Sequence, residues 1–406
     1  MSERPVNEFS RGWLVLLGCF IGIGVSIISL IYYSSGIWVQ PWQDEFGWSR
    51  AEIGIASGLS TLAIVVGAPF AGSLIDKYGL KIMATLSLLL YGSCLYVFSR
   101  MEGSLWLFYL LFIVMSFLAL PSTGIGFTRV VNAWFDKNKG MALGICLTSA
   151  GLGAFFTNKY LTPFVAEHGW REGFFVLFCI VMIGIPFVWF LVKDVPPVTG
   201  KKDEEIILSG LTLKEAIKTR EFKILAVFFL MTAIAILGLI PNFIPLLQDA
   251  GMTAADAGSY AAILGLSVMV GRLLTGFLID RIFAPYVIAV LLIFVSSGCF
   301  AMGFGGVDYV LWAAIAIGLA VGSEVDLIGY FTAKYFGLKH YGTLSGVIYS
   351  IFNTGAIISP ALVGYILDST GNYDIALLGA GFILLVAAAI SLLLPKFDNK
   401  NKTKIA

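Results

Sequence analysis

Three charged side chains stand near the middle of long apolar runs of this chain: Arg272, Glu324 and Asp326. A charge at the middle of a bilayer costs roughly 2.5–3.5 kcal/mol even on a lenient insertion scale. Each such group needs a partner or a wet cavity. Arg272 and Glu324 each lie about 14 residues into their apolar runs, which puts them at similar depth. One base and two acids there suggest an ion pair plus one extra titratable carboxyl. Glu324 and Asp326 are two residues apart, about 200° around a helix, so they cannot face one partner in the same way. Either acid is a candidate for the pair. The chain has no HExxH, no GxSxG and no GxxxxGK[ST], so metal hydrolysis, serine acyl transfer and ATP-driven pumping lack their parts. Cys19, Cys94, Cys146, Cys179 and Cys299 all sit in apolar runs without a CxxC pair, and read as packing residues. His168 and His340 fall in loops, which argues against a buried histidine relay. No metal and no cofactor are expected, and the chain is not expected to be an enzyme.

The elements that position these groups follow from composition. The chain is 58% hydrophobic and 13% charged, with mean hydropathy +0.91. A soluble domain carries about 25% charge. Lipid must therefore be the solvent for much of the surface. The net charge of +1 gives no reason to expect nucleic-acid binding. Twelve apolar spans are predicted: 13–38, 53–75, 82–99, 105–131, 140–164, 173–192, 222–247, 258–279, 285–303, 310–333, 342–367 and 376–394. Each can cross a hydrocarbon core of about 30 Å as a helix. The first run is long and lacks a small-residue cleavage site, so it reads as a retained span. With the N-terminus inside, 20 of the 26 Lys and Arg residues fall in cytoplasmic segments and only Arg50, Arg100 and Arg171 on the other face. Arg129, Lys159 and Arg272 remain within spans. That bias predicts a multi-pass protein of the cell (inner) membrane with both termini cytoplasmic.

The chain also repeats itself. Gly72-Ser73-Leu74-Ile75-Asp76-Lys77 returns 204 residues later as Gly276-Phe277-Leu278-Ile279-Asp280-Arg281. Trp134-Phe135, Lys139, Gly140 and Gly144 are echoed by Tyr335-Phe336, Lys339, Gly342 and Gly346. Glycines four apart at the start of a span let helices approach closely. A repeat at half the chain length predicts two copies of one membrane unit. The expected fold is an all-α membrane protein, twelve transmembrane helices in two pseudo-symmetric six-helix bundles. The expected domains are 1–192 and 222–406, joined by a cytoplasmic linker 193–221. Within the linker, Thr212-Leu213-Lys214-Glu215 is a capping-box pattern that starts a short surface helix. Spans five and eleven begin at the cytoplasmic face, so their N-termini carry partial positive charge. Asp76 and Asp280 lie at the same face, where such a terminus attracts a carboxylate. Arg129 either snorkels or pairs with Asp76, and Lys159 snorkels.

Gly72–Lys81 resembles the loop signature of the major facilitator superfamily, between spans two and three, with a weaker copy after span eight. In that copy Phe283-Ala284-Pro285 stands where the trailing glycine and basic residue belong. The resemblance implies that Gly72, Asp76, Lys77, Gly79, Lys81, Gly276, Asp280, Arg281 and Arg129 form a gating motif that stabilises the outward-open state. Within the superfamily, Gly36–Arg50, Trp134-Phe135 with Gly151-Leu152-Gly153, and Gly322-Ser323-Glu324-Val325-Asp326 with Tyr335-Phe336-Gly337 resemble prokaryotic monocarboxylate and oxalate/formate transporters. That subfamily places an arginine of span eight on the substrate carboxylate, and Arg272 matches the position. Tyr32, Tyr33, Tyr349 and Asn353 stand on spans one and eleven, which line the cavity in the superfamily. Many animal members carry an aspartate four residues before the arginine and a lysine in span one. Here Val268 takes the first place and span one has no lysine. Coupling then falls to Glu324 or Asp326, or the site runs as an exchanger or uniporter. The expected function is secondary transport of a small organic anion, a monocarboxylate first, with protons as a possible co-substrate and a monomer as the working form. The alternatives are a carboxylate exchanger, a carrier for another anion or zwitterion, and a non-transporting membrane sensor, which the short termini argue against.

Overall fold

A computed structural model describes residues 8–32, 34–194 and 209–397. Nearly all of them are helical, and among them the one β pairing is a bridge between Gly210 and Gly337. The described chain divides into two compact units. The first holds the residues up to Gly210 together with Phe336–Val347, and the second holds Leu211–Tyr335 and the chain from Ile348.

The first unit contains α1 (Glu8–Gly24), α2 (Gly36–Phe46), α3 (Arg50–Tyr78), α4 (Leu80–Phe98), α5 (Leu105–Ala119), α6 (Gly124–Trp134), α7 (Lys139–Phe156), α8 (Thr162–His168) and α9 (Trp170–Leu191). Serine side chains cap two of these helices. Ser49 and Glu52 form a reciprocal capping box on α3, and the Ser104 hydroxyl accepts from the Leu107 N–H on α5. One end of the unit is tied by rings. Trp42 meets Phe108 edge-on with centroids 4.9 Å apart, and Phe98 stacks on Phe174 at 5.1 Å. Beside them, Glu45 receives the indole N–H of Trp170 at 2.6 Å and Arg171 Nη1 at 2.6 Å, while Arg171 Nη2 donates to the Met101 carbonyl.

The second unit contains α10 (Leu213–Ala216), α11 (Arg220–Ile236), α12 (Leu239–Asp249), α13 (Ala254–Ile279), α14 (Ala284–Gly305) and α15 (Val310–Phe331). It also holds most of α16 (Tyr341–Thr370) and α17 (Asp374–Ser391). The Thr212–Glu215 pattern forms a full capping box and opens α10, a helix of four residues. Large apolar side chains such as Trp106, Phe190 and Phe304 face outward. Such a surface is stable in lipid.

Eight helical stretches of the described residues are long and apolar enough to cross a membrane. One of them, Ala284–Phe336, holds both the ninth and the tenth expected spans. Expected spans one, five and seven are not among the eight. Span one is broken into α1, a π turn at Ile28–Tyr32 and α2. Span five passes through a π turn at Thr157–Leu161 before α8. Span seven breaks at Leu237-Gly238 between α11 and α12. At that break Gly238 lies against Ser359 of α16, with no room for a Cβ. The first half of the linker lies outside the described residues.

Candidate functional site

Two arrangements of charged groups stand out. The first is in the first unit, where α3 meets the first turns of α16. Gly72 on α3 and Gly342 on α16 touch backbone to backbone, and Gly346 rests on the Ala68 carbonyl. No side chain fits between them, which is what glycine supplies at both positions. This close approach brings Asp76, one turn along α3, to the N-terminus of α16. Its Oδ1 accepts the Gly342 N–H at 2.8 Å, and its Oδ2 accepts both the Thr343 N–H and the Thr343 hydroxyl at 2.8 Å. Free N–H groups and the helix dipole both favour a carboxylate there. Arg129 of α6 completes the group, with Nε 3.6 Å from Asp76 Oδ1 and Nη1 donating to the Ile75 carbonyl. The side chains of Arg129 and Asp76 are 12% and 8% exposed, so water screens this pair little. Beneath it, the buried Tyr341 hydroxyl donates to Thr128 at 2.9 Å and lies 3.3 Å from Asn132 Nδ2.

The remaining motif residues do different work. Gly79 has φ +81°, a value that favours glycine, and turns the chain between α3 and α4. Lys77 lies over the Tyr78 ring and Lys81 over Trp189, at 5.0 and 4.4 Å. In the second copy, Gly276 is buried on α13, Asp280 is the C-cap of that helix, and Arg281 folds back over Phe277 with its centre 3.5 Å from the ring. Lys159 is exposed and lies over Phe155 and Tyr160.

Sequence reasoning missed two acids that use the same chemistry as Asp76. Glu8 accepts the N–H groups of Asp136, Lys137 and Asn138 just ahead of α7, at 3.0–3.2 Å. Asp194 accepts from the N–H groups of Leu80 and Lys81 at the start of α4. A carboxylate beside the end of a span was the available signal in both cases. A third missed feature joins the linker to the loop before α16. The Ser209 carbonyl accepts from the N–H groups of Leu338 and Lys339, at 3.0 and 3.3 Å. Gly337, with φ +81°, and Gly210 pass too close for side chains.

The second arrangement is in the second unit, where α13 and α15 cross on glycines. Gly318 sits against Leu264 and Ser267. Gly322 sits against the Val268 carbonyl and 3.0 Å, measured from the place of a Cβ, from the Arg272 nitrogen. Gly271 meets Leu319 from the other side. Arg272, Glu324 and Asp326 are 8%, 5% and 3% exposed. The field of Arg272 acts on Asp326. Among the described residues, neither oxygen of Asp326 and not Oε1 of Glu324 has a hydrogen-bond partner. Tyr349 and Asn353 are neighbours on α16, with Asn353 Nδ2 donating to the Tyr349 carbonyl at 2.8 Å. Tyr33 lies outside the described residues, and Tyr32 shares a hydrogen bond with Ser116 at 3.2 Å. In the first unit, a cavity of about 460 Å³ opens beside Tyr32, Ser35, Trp38, Gln40, Trp42 and Ser57. The described residues contain no His, Cys, Asp and Glu cluster fit for a metal ion.

A helical, multiply spanning chain with a carboxylate on a helix terminus and buried charges on glycine-packed helices defines a class of membrane carrier. The family model described as Major Facilitator Superfamily matches residues 14–360, and the chain belongs to that superfamily. It is a membrane transport protein and not an enzyme. It is 23% identical to monocarboxylate transporter 12 of Mus musculus, over 93% of this chain and 84% of that one. It is 24% identical to a Cupriavidus necator protein named "Probable sulfoacetate transporter SauU", over 86% of each chain. Among solved structures, a single-site variant of the Escherichia coli fucose:proton symporter FucP has the same fold, with TM-score 0.70 and 16% identity over 95% of this chain and 98% of that one.

Proposed function

We propose that the protein is a secondary transporter of a small organic anion, a monocarboxylate, working by alternating access. The observation that carries this reading is Arg272, a buried guanidinium on a tightly packed helix pair, with Asp326 within its field. Its planar fork fits a carboxylate in two parallel hydrogen bonds. An arriving carboxylate takes the place of the internal acid, and Tyr33, Tyr349 and Asn353 add polar contacts. The relatives named for monocarboxylates and for sulfoacetate support the substrate class.

In this reading the chain has twelve spans, divided as 1–192 and 222–406 about a cytoplasmic linker 193–221, with both termini inside and a monomer as the working form. Gly72, Asp76, Lys77, Gly79, Lys81 and Arg129, with Gly276, Asp280 and Arg281 in the second copy, form the gate. Asp76 and Arg129 hold the start of α16 in the outward-open state. Exchange of one carboxylate for another is the second reading, favoured by Val268 and by a first span without lysine.

Uptake of labelled lactate, pyruvate, acetate and oxalate into proteoliposomes, with and without a pH gradient, tests the proposal. Saturable uptake of a monocarboxylate that Arg272→Lys abolishes is expected. Uptake of none of the four, or full uptake by the variant, overturns it.

A further inference from the structure

We propose that the two acids of α15 do separate jobs: Asp326 is the counter-ion of Arg272, and Glu324 is an independent proton-carrying carboxyl. The proposal deepens the transport reading and rests on it for its coupling role.

The contact between α13 and α15 fixes which way each acid points. Gly318 and Gly322 are one helical turn apart and both press on α13. Asp326 is the next residue of that stripe, about 40° from Gly322 around the helix. It therefore stands on the face that meets α13, beside the turn that carries Arg272. Glu324 is turned about 200° from Gly322 and looks away from α13. It shares its side of α15 with Ala313, about 20° off after three turns. Ala313 packs on Gly298 of α14.

Among the described residues of the helices packed there, that side offers no compensating charge. Tyr286 and Cys299 are the titratable side chains of α14. On α11 the charges Arg220, Glu221 and Lys223 belong to its first turn, at the far end of the helix from its break. On α13 the charged groups are Asp256 near its start, and Arg272 and the Asp280 cap on or beyond the face that Glu324 turns from. On α15 itself the other titratable groups are Asp326 and Tyr330, and the Tyr330 hydroxyl is committed to the Ile279 carbonyl. The charge of Arg272 acts on Asp326, whereas burial is what dominates the surroundings of Glu324. A buried carboxylate with an unpartnered oxygen, as Oε1 of Glu324 is, is costly, and the neutral carboxyl is the form that such a place tolerates. Glu324 thus takes up a proton without competing for the arginine, and releases it only when its surroundings become wet or charged. This separates the anion's seat from the proton's seat on one helix, two residues apart.

The test uses full-length protein in lipid and begins without substrate. Infrared spectra over a pH series should show a protonated-carboxyl C=O band that Glu324→Gln removes, that Asp326→Asn leaves, and that Glu324→Asp retains at a shifted frequency. A band lost in Asp326→Asn and kept in Glu324→Gln overturns the assignment, as does a Glu324→Asp protein that shows none. Lactate transport then reads the coupling. Glu324→Gln should keep exchange at equal pH within about twofold and lose the acceleration by a proton gradient, while Asp326→Asn should lower exchange at least about tenfold. Equal loss of exchange in both variants overturns the division of labour. If wild type moves no carboxylate, the transport reading fails, and the infrared arm still decides where the proton sits.

Discussion

Asp76 and Thr343 are 267 residues apart in sequence, yet the carboxylate of one takes both the backbone N–H and the hydroxyl of the other at 2.8 Å. The acid acts as a cap supplied from a distant part of the chain. Capping contacts of this kind are usually local, between residues three apart. A cap supplied by another helix can be withdrawn when that helix moves, and the terminus then loses its anion.

Asp76→Asn should therefore favour the inward-open state. A charge at a helix terminus contributes about 0.3–1 kcal/mol, and up to about 2 kcal/mol when partly buried. Populations shift several-fold while the protein still folds. Accessibility of single cysteines to a membrane-impermeant thiol reagent measures the shift. Unchanged labelling would show that the cap does not hold a state.

Gly342→Val should be more damaging than the loss of charge. A side chain there meets the Gly72 carbonyl and Asp76 together. Overpacking of this kind costs about 1–3 kcal/mol, and here it also parts α3 from α16. A lower melting temperature in detergent, together with the labelling pattern of Asp76→Asn, is expected. A variant as stable as wild type with wild-type labelling counts against the backbone contact.

Glu45 gives a pH dependence with a definite sign. Its slight burial works against the charge, but the Trp170 indole and the Arg171 guanidinium outweigh it and hold the carboxyl below the usual carboxylate value. A depressed carboxyl contributes stability above its unfolded pKa, and the contribution fades as pH falls through the folded value. Melting temperature should fall on acidification below the ordinary carboxylate range, and Glu45→Gln should flatten that limb. The pair is more than a third exposed, so the effect is small. An acid limb of the same depth in the variant would assign it to other groups.

Topology has its own check. A cysteine at Lys202, in the linker, should react with thiol reagents only from the cytoplasmic side. Labelling from outside the cell would invert the proposed orientation.

Much of the fold was legible because it rests on sums over many residues. The apolar runs that mark the helices integrate over whole spans. The breaks in spans one and seven were not legible, since they depend on single turns near Ser26 and Gly238 that the apolar pattern runs straight through. At the site, the chemistry of Asp76 could be read from its place beside helix ends. Glu8 and Asp194 had the same chemistry and were passed over, because they stand outside any repeat. The spacing of Glu324 and Asp326 showed that they point apart, but not which one meets Arg272. The proposed choice of Asp326 rests on Gly318 and Gly322, whose contacts set the rotation of α15 against α13.

The bridge between Gly210 and Gly337 gives the linker a mechanical role. Ser209 is hydrogen-bonded to Leu338 and Lys339, and Gly342, a donor to Asp76, follows three residues after Lys339. That stretch is a turn closed by the Tyr341 N–H on the Leu338 carbonyl at 3.4 Å, so it is short and hydrogen-bonded. Tension on the linker, or a protein that grips it, is delivered to the first turn of α16. The chain ahead of Ser209 is in this sense a handle on the Asp76 cap.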